Sequence, residues 1–194
     1  LEVAVAMFVE CFLHKDLAYG SSPKTTDHVT ERALRCQKAE NEWAHSPCGI
    51  MDQLASSAAK AGNLMLIDCR SLEITQVPMK LESEGQPVIL ITNSKVEHSN
   101  ADSEYGRRRR ECQDAVEAMQ QVPLYHVEFL RDATLQDVNT AKDKMEETTY
   151  RRAKHVVTEN QRVKECKIAL KTGRWDHGGT VCETHLRAHE TGRN

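Results

Sequence analysis

The sequence predicts a globular chain that mixes α-helix and β-strand, and three observations support this. Its 194 residues include 39% hydrophobic side chains, which is enough to form a core. Apolar residues recur with helical spacing in both halves of the chain, and short β-branched runs lie between these segments. The most apolar segment, residues 1–13, is interrupted by Glu2 and Glu10 and is too short to span a membrane, so we expect a soluble protein.

The first two predicted helices occupy residues 1–13 and the region up to about residue 44. Residues 1–13 are apolar on most faces, so we expect this helix to be buried. A loop rich in glycine and serine follows at residues 16–24, and the polar cluster at residues 25–27 is typical of a helix N-cap.

A third helix and a hairpin are predicted next. Ser46 and Pro47 have the chemistry of an N-cap and of a first-turn proline, which predicts a helix over residues 48–60. The apolar period then changes to that of strands at residues 64–67 and 74–79, which predicts a β-hairpin.

The second half begins with another strand signal. Charged residues around Gly85 precede a continuous β-branched run at residues 87–92, a pattern typical of a strand that is buried on both faces. We place a domain boundary near Ser83, which gives domains 1–82 and 83–194. Helices are then predicted near residues 103–119 and 141–170.

The chain between and after these two helices has its own signals. A polar, irregular stretch surrounds Pro123, and Gly173 has the position of a C′ glycine that ends the long helix.

Charge and cysteine content exclude several classes of function. The chain has 26 basic and 29 acidic side chains and a formal net charge of −3, so it presents no strong field for nucleic acid or anionic lipid. Its seven cysteines are an odd number and contain no C-x-x-C pair. We therefore expect reduced thiols and a cytoplasmic protein.

The segment least typical of ordinary core is residues 36–53, which puts Glu40, Gly49 and Asp52 on two predicted helices joined by a tight corner. Two carboxylates can converge there. Asp52 follows Ile50 and Met51, so we expect it to border the core, where a carboxylate needs a partner. The alternative from the residues alone is that Asp52 binds backbone donors or an arginine and only stabilises the corner.

This segment closely resembles the middle of galactokinases, a family of the GHMP small-molecule kinase superfamily. The motif Pro47-Cys48-Gly49-Ile50-Met51-Asp52-Gln53 carries the likeness most specifically. Further resembling blocks follow in the same order at residues 66–73, 91–94, 98–99, 103–105, 107–112 and 150–157, and more loosely at 183–185.

The resemblance implies an α+β, GHMP kinase-like architecture with two lobes, of which the N-terminal lobe is incomplete. Residues 1–82 would be the C-terminal part of the N-terminal domain, and residues 83–194 the start of the C-terminal domain. The helix at Leu1 and the strand at Leu64 would then lack sheet partners and leave apolar faces exposed.

The resemblance also implies an activity, the ATP-dependent phosphorylation of the C1 hydroxyl of galactose. Asp52 would be the catalytic base and would contact the sugar together with Gly49 and Tyr105, while Glu40 would bind Mg²⁺. The implied ligands are galactose, ATP and Mg²⁺, with no nucleic acid or membrane, and the implied state is a monomer. Each residue also has an ordinary interpretation: Glu40 as a solvated helix residue, Gly49 as a first-turn residue, and Tyr105 as a core or rim aromatic.

Three parts of the galactokinase pattern have no counterpart in these residues: a sugar-recognition segment with an arginine, a Gly-Leu-Ser-Ser-Ser phosphate loop, and a C-terminal glycine-rich motif. Glu97 also stands where the family usually has a basic residue. We therefore expect the chain to be an inactive portion of such an enzyme. A non-catalytic galactokinase-like sugar sensor, an N-acetylgalactosamine kinase and a degenerate structural module stay open as alternatives.

Two other patterns are weaker. Cys182, His185 and His189 fall on one face of a possible helix and suggest zinc, but two glycines just before them weaken that helix. The arginines at residues 107–110 suggest a nucleic-acid patch, but nearby acidic residues neutralise them and no aromatic residues accompany them, so we expect a solvated helix face.

Overall fold

The computed structural model describes residues 1–13, 26–79, 92–93, 95, 104–123 and 126–174, with the backbone alone at residues 26, 27, 104 and 105. The chain divides into two compact units, Leu1–Gln86 and Pro87–Asn194. Several predictions lie wholly or largely outside the described residues: the loop at 16–24, the cap at 25–27 apart from the backbone of residues 26 and 27, the boundary near Ser83, the strand at 87–92 apart from residue 92, and the zinc candidates Cys182, His185 and His189. The assignment of the two units to kinase lobes stays a prediction.

Over its described residues, the first unit contains three helices and a hairpin. Its elements are α1 (Glu2–Leu13), α2 (Thr26–Lys38), a π-helical turn (Ala39–Trp43) that continues α2, α3 (Met51–Ala58), β1 (Asn63–Asp68) and β2 (Glu73–Pro78). The two strands pair antiparallel, with Leu64 opposite Val77 and Ile67 opposite Ile74, so the predicted hairpin is confirmed.

A small core joins these elements. Ala33 of α2, together with Ile50 and Leu54 at the start of α3, is buried, and Ile67 and Ile74 of the hairpin pack against them. The hairpin and α3 are thereby held against α2. Since burial of apolar area is the main source of folding free energy, this cluster positions the loop between α2 and α3.

The third helix begins later than predicted. Ser46 and Pro47 are neither N-cap nor first-turn residues, because the helix starts at Met51 and Ile50 is its N-cap. The backbone N–H of Ser46 instead donates to the carbonyl of Glu40 at 3.1 Å, and His45 adopts a positive φ of 52°. These backbone contacts turn the chain back onto the end of α2, so residues 45–49 form a loop.

The prediction that α1 is buried is wrong for this chain. Only Val3 of α1 is buried, while Phe8 and Phe12 are 70% and 77% exposed. Glu10 forms ion pairs with Arg32 and Arg35, which hold one side of α1 against α2. The exposed apolar surface implied by the resemblance is therefore present on α1.

The second unit is helical over its described residues. It contains α4 (Glu104–Gln120), α5 (Leu135–Thr140), a 3₁₀ turn (Lys142–Lys144) and α6 (Glu147–Lys171). The buried side chains of its core are Ala115, Met119, Val127, Leu130, Val138, Ala141, Ala153 and Val157.

Two helices of this unit match the predictions, and one was missed. The helix predicted at 103–119 is α4, and α6 begins at Glu147 rather than at residue 141. Gly173 has a φ of 73°, as expected for the glycine that ends a helix. The short helix α5 lies in the stretch expected to be irregular. In the described part of the chain, no helix has both the length and the apolarity required to cross a membrane.

Candidate functional site

The candidate site is the corner at which the π-helical turn after α2 meets the loop and first turn of α3. The turn widens the end of α2 and carries Glu40 and Asn41. Such π-helical turns are rare and often occur at functional sites. Residues 36–53 form a corner, as the sequence predicted. The loop of this corner is longer, and α3 is shorter, than expected.

Hydrogen bonds of the Cys48 backbone hold the loop in place. Its backbone N–H donates to Oδ1 of Asn41 at 2.8 Å, and its carbonyl accepts from Nε2 of Gln37 at 3.3 Å. Both amide side chains come from the α2 side of the corner, four residues apart and hence on one helix face. Side-chain amides thus stabilise a loop whose backbone has few partners of its own.

Gln53 of α3 contacts both Cys48 and Glu40. Its Nε2 donates to Oε2 of Glu40 at 2.8 Å and lies 3.6 Å from Sγ of Cys48. Gln53 is only 4% exposed. Glu40 is half-buried, and its carboxylate is held by a buried donor rather than by water alone.

Asp52 is exposed, so the expectation that it borders the core is wrong for this chain. The reason is the phase of α3: consecutive helical residues are about 100° apart, and Gln53 and Leu54 take the buried side. Asp52 lies in the first turn of α3, where the helix dipole favours a negative charge.

The two carboxylates act on one common group, the Cys48 thiol. Burial raises the pKa of Cys48, and the negative charge of Glu40 raises it further, with a smaller contribution from Asp52. The hydrogen bond from Gln53 opposes this rise. Glu40 and Asp52 are therefore both close enough to Cys48 for their charges to affect it.

Gly49 and Tyr105 are less informative. Gly49 is exposed and lies in the loop before α3, so its predicted place in a first helical turn is wrong. Tyr105 lies on α4 in the second unit, and its side chain is outside the described residues. The predicted contacts of both residues with a sugar stay predictions.

The carboxylate of Glu40 fits a Mg²⁺ ion that takes only one or two ligands from the protein. Within residues 1–13, 26–79, 92–93, 95, 104–123 and 126–174, no group of three His, Cys, Asp or Glu side chains forms a metal cage. Mg²⁺ usually takes one or two protein carboxylates and completes its shell with water and phosphate oxygens. Glu40, a hard oxygen ligand held beside an open loop, is compatible with that role.

The arginines at 107–110 are exposed along α4, and Nη1 of Arg107 lies 3.7 Å from Oε1 of Glu111. This agrees with the predicted solvated helix face.

The amides of Gln37, Asn41 and Gln53 were not predicted as site residues. The i, i+4 spacing of the first two was a usable signal, because it puts both on one face of the second predicted helix, which extends to about residue 44. No local pattern marks Gln53, since its importance depends on the packing of α3 against α2.

Comparisons with known proteins identify relatives of the chain. It is 40% identical over 158 residues to the galactokinases of Bos taurus and Homo sapiens, which covers 81% of this chain and 38% of each relative. It is 37% identical over 143 residues to the galactokinase of Streptomyces coelicolor, covering 73% of this chain and 35% of that protein. No protein-family model matches the chain.

The fold is also similar to that of a galactokinase of known structure. The chain superposes on the crystal structure of Lactococcus lactis galactokinase complexed with galactose with a TM-score of 0.70, covering 93% of this chain and 43% of that one, at 23% identity. The predicted α+β fold is confirmed by this neighbour. The chain spans about two fifths of the length of the curated relatives that it matches, 38% in the first two.

Proposed function

Because the chain is galactokinase-like in sequence and folds like part of a galactokinase, we propose that it carries the catalytic corner of a sugar kinase. The reaction is transfer of the γ-phosphoryl group of ATP to the C1 hydroxyl of galactose. The 40% identity to mammalian galactokinases over 158 residues is the observation that supports this proposal most directly.

Asp52 is the proposed catalytic base. Phosphoryl transfer has a loose transition state, so the protein mainly orients the attacking hydroxyl and balances the charge on the phosphoryl oxygens. An exposed carboxylate at the first turn of α3 is accessible to a sugar hydroxyl and can accept its proton. General-base assistance of this kind contributes a factor of about 10² to 10⁴.

Glu40 is the proposed Mg²⁺ ligand. When bound, Mg²⁺ would offset the negative charge of the phosphates, with Glu40 as the residue that would hold it. The chain's own contribution is to hold the Glu40 carboxylate at the end of α2, where Gln53 donates to it at 2.8 Å. Gly49, which has no side chain, leaves room for a sugar beside the loop, and Tyr105 is proposed as a further sugar contact.

The proposal includes a cytoplasmic monomer. Among the residues described, no disulfide joins the six cysteines, which is compatible with a reducing compartment. It also includes the expectation that the 194 residues alone do not turn over galactose, because they contain no phosphate loop of the galactokinase type.

A segment exchange tests the proposal. The matched stretch of human galactokinase is replaced by the corresponding residues of this chain, and ADP release is measured with galactose and MgATP. We expect turnover by the chimera, a loss of about 10² to 10⁴-fold in kcat on Asp52→Asn, and no loss on Asp114→Asn, an exposed carboxylate of α4.

Each contrary result points to another function. A folded chimera that binds galactose without turnover supports the non-catalytic sensor, and turnover of N-acetylgalactosamine alone supports the kinase for that sugar. Undiminished turnover on Asp52→Asn in an active chimera removes Asp52 from the mechanism.

A further inference from the structure

We propose that Gln53 is a positioning residue that holds the Glu40 carboxylate in place for the metal ion. The inference rests on the proposed function, which makes Glu40 a Mg²⁺ ligand. It assigns a role to a side chain that does not itself touch the sugar or the phosphates.

The amide nitrogen of Gln53 faces Glu40. Nε2 of Gln53 lies 2.8 Å from Oε2 of Glu40, across the gap between α3 and the π-helical turn. An ionised carboxylate only accepts hydrogen bonds, so the amide must present its N–H group to Glu40. The orientation of the Gln53 amide is therefore determined by Glu40.

The amide oxygen of Gln53 lacks a comparable partner among the described residues. Oε1 of Gln53 is buried and has no hydrogen-bond partner among the described residues. A buried acceptor without a partner is unfavourable, and an apolar side chain of similar shape would avoid that penalty. The Gln53 amide donates to Glu40 at 2.8 Å and to Sγ of Cys48 at 3.6 Å, while its own oxygen has no partner among the described residues, so this glutamine is poorly explained by stability alone.

The site of Glu40 explains why its side chain needs support. A glutamate has several rotamers, and the π-helical turn places Glu40 where the regular helical hydrogen bonds are interrupted. The bond from the buried Gln53 restricts those rotamers. Because Asp52 and Gln53 are consecutive, the first turn of α3 orients both the proposed base and the proposed metal ligand.

Manganese binding in the presence of ATP tests the positioning role in the chimera with human galactokinase. Mn²⁺ is titrated with ATP present and followed by electron paramagnetic resonance for the chimera and its variants Gln53→Met, Glu40→Gln and Gln76→Met. Gln76 is the matched control, because its Nε2 donates to the carbonyl of Ala58 and its Oε1 is also buried without a partner among the described residues. We expect Gln53→Met to weaken Mn²⁺ binding about 10-fold or more and Gln76→Met to leave it unchanged.

A metal-independent measurement separates this inference from the proposed function. Urea unfolding is measured for the wild type, Gln53→Met, Glu40→Gln and the double variant, with Gln53→Leu replacing Gln53→Met if the latter does not fold. We expect the double variant to lose less stability than the sum of the single losses. Additive losses, or unchanged Mn²⁺ affinity on Gln53→Met where Glu40→Gln abolishes binding, overturn the role of Gln53. If the unsubstituted chimera and its Glu40→Gln variant bind Mn²⁺ with equal affinity, Glu40 is not a metal ligand. The positioning role of Gln53 for the metal ion then fails as well.

Discussion

Oδ1 of Asn41 accepts a hydrogen bond from the backbone N–H of Cys48 at 2.8 Å. A side chain just after α2 thus stabilises the loop that leads into α3. The two residues are seven positions apart and lie on either side of the turn at His45. This hydrogen bond closes the corner on which Glu40 and Asp52 lie.

Removal of the Asn41 amide should destabilise the first unit. We expect Asn41→Ala to lower the free energy of unfolding by about 1 kcal/mol, because it leaves the half-buried N–H of Cys48 without its partner. Urea unfolding followed by circular dichroism measures the change. Gln113→Ala is the control, since its amide is exposed on α4 and bonds only to the side chain of Glu117 in the same helix. An equal, small loss for both variants would show that the corner does not depend on Asn41.

The same hydrogen bond explains where sequence-based prediction failed. Ser46 and Pro47 are a strong local signal for a helix start, but the contacts of residues 46 and 48 with Glu40 and Asn41 hold the chain in a loop. A pattern within a few residues cannot report such contacts across a turn. The hairpin, in contrast, was predictable because alternation and its short turn are both local.

The candidate site was only partly predictable for a related reason. The resemblance to galactokinases marked Glu40 and Asp52, but the exposure of Asp52 follows from the phase of α3. That phase is set by the burial of Gln53 and Leu54 against α2. Helix α5 is a different case, since the T-x-x-D pattern at Thr134 and Asp137 was an available local signal.

Glu10 is expected to hold α1 on α2. Its carboxylate binds Arg32 and Arg35, and both Glu10 and Arg32 are mostly shielded, at 18% and 12% side-chain exposure. We expect Glu10→Gln to destabilise the chain by about 1 to 3 kcal/mol, because Arg32 would lose its charged partner in a shielded position. Glu42→Gln is the control, since Glu42 and its partner Lys38 are largely exposed. Hydrogen exchange of α1 amides would show the loss locally, and unchanged protection would contradict the prediction.

Asp137 should make the stability of the second unit depend on pH. Burial raises its pKa, but the hydrogen bonds from the backbone and hydroxyl of Thr134 and the charge of His126 outweigh burial and place the pKa below its usual range. A carboxyl group with a lowered pKa stabilises the folded state above its unfolded pKa, and this stabilisation is lost as pH falls through the folded value. The loss is therefore expected below about pH 4.

Unfolding measured between pH 2 and 6 tests this dependence. Asp137→Asn should reduce the fall in stability below pH 4, and Thr134→Ala should cost about 1 kcal/mol at pH 7 because the N-cap of α5 is lost. Asp143→Asn, at an exposed carboxylate of the 3₁₀ turn, should keep the pH profile of the wild type. An acid limb that is the same in Asp137→Asn and the wild type would exclude this residue as its source.

The exposed face of α1 should make the chain aggregate at high protein concentration, although its functional state is proposed to be a monomer. Phe8 and Phe12 stack with their ring centroids 6.4 Å apart, although both are mostly exposed, so they form a contiguous apolar surface. We expect Phe8→Ser with Phe12→Ser to lower the binding of a hydrophobic dye severalfold and to shift sedimentation towards the monomer. Phe129→Ser is the matched control, because Phe129 is 58% exposed but lies in the second unit. Because both α1 side chains are already in water, the free energy of unfolding should change by only about 0.5 kcal/mol. A large loss of stability would mean that these rings pack in the folded chain, and unchanged dye binding would mean that the apolar surface lies elsewhere.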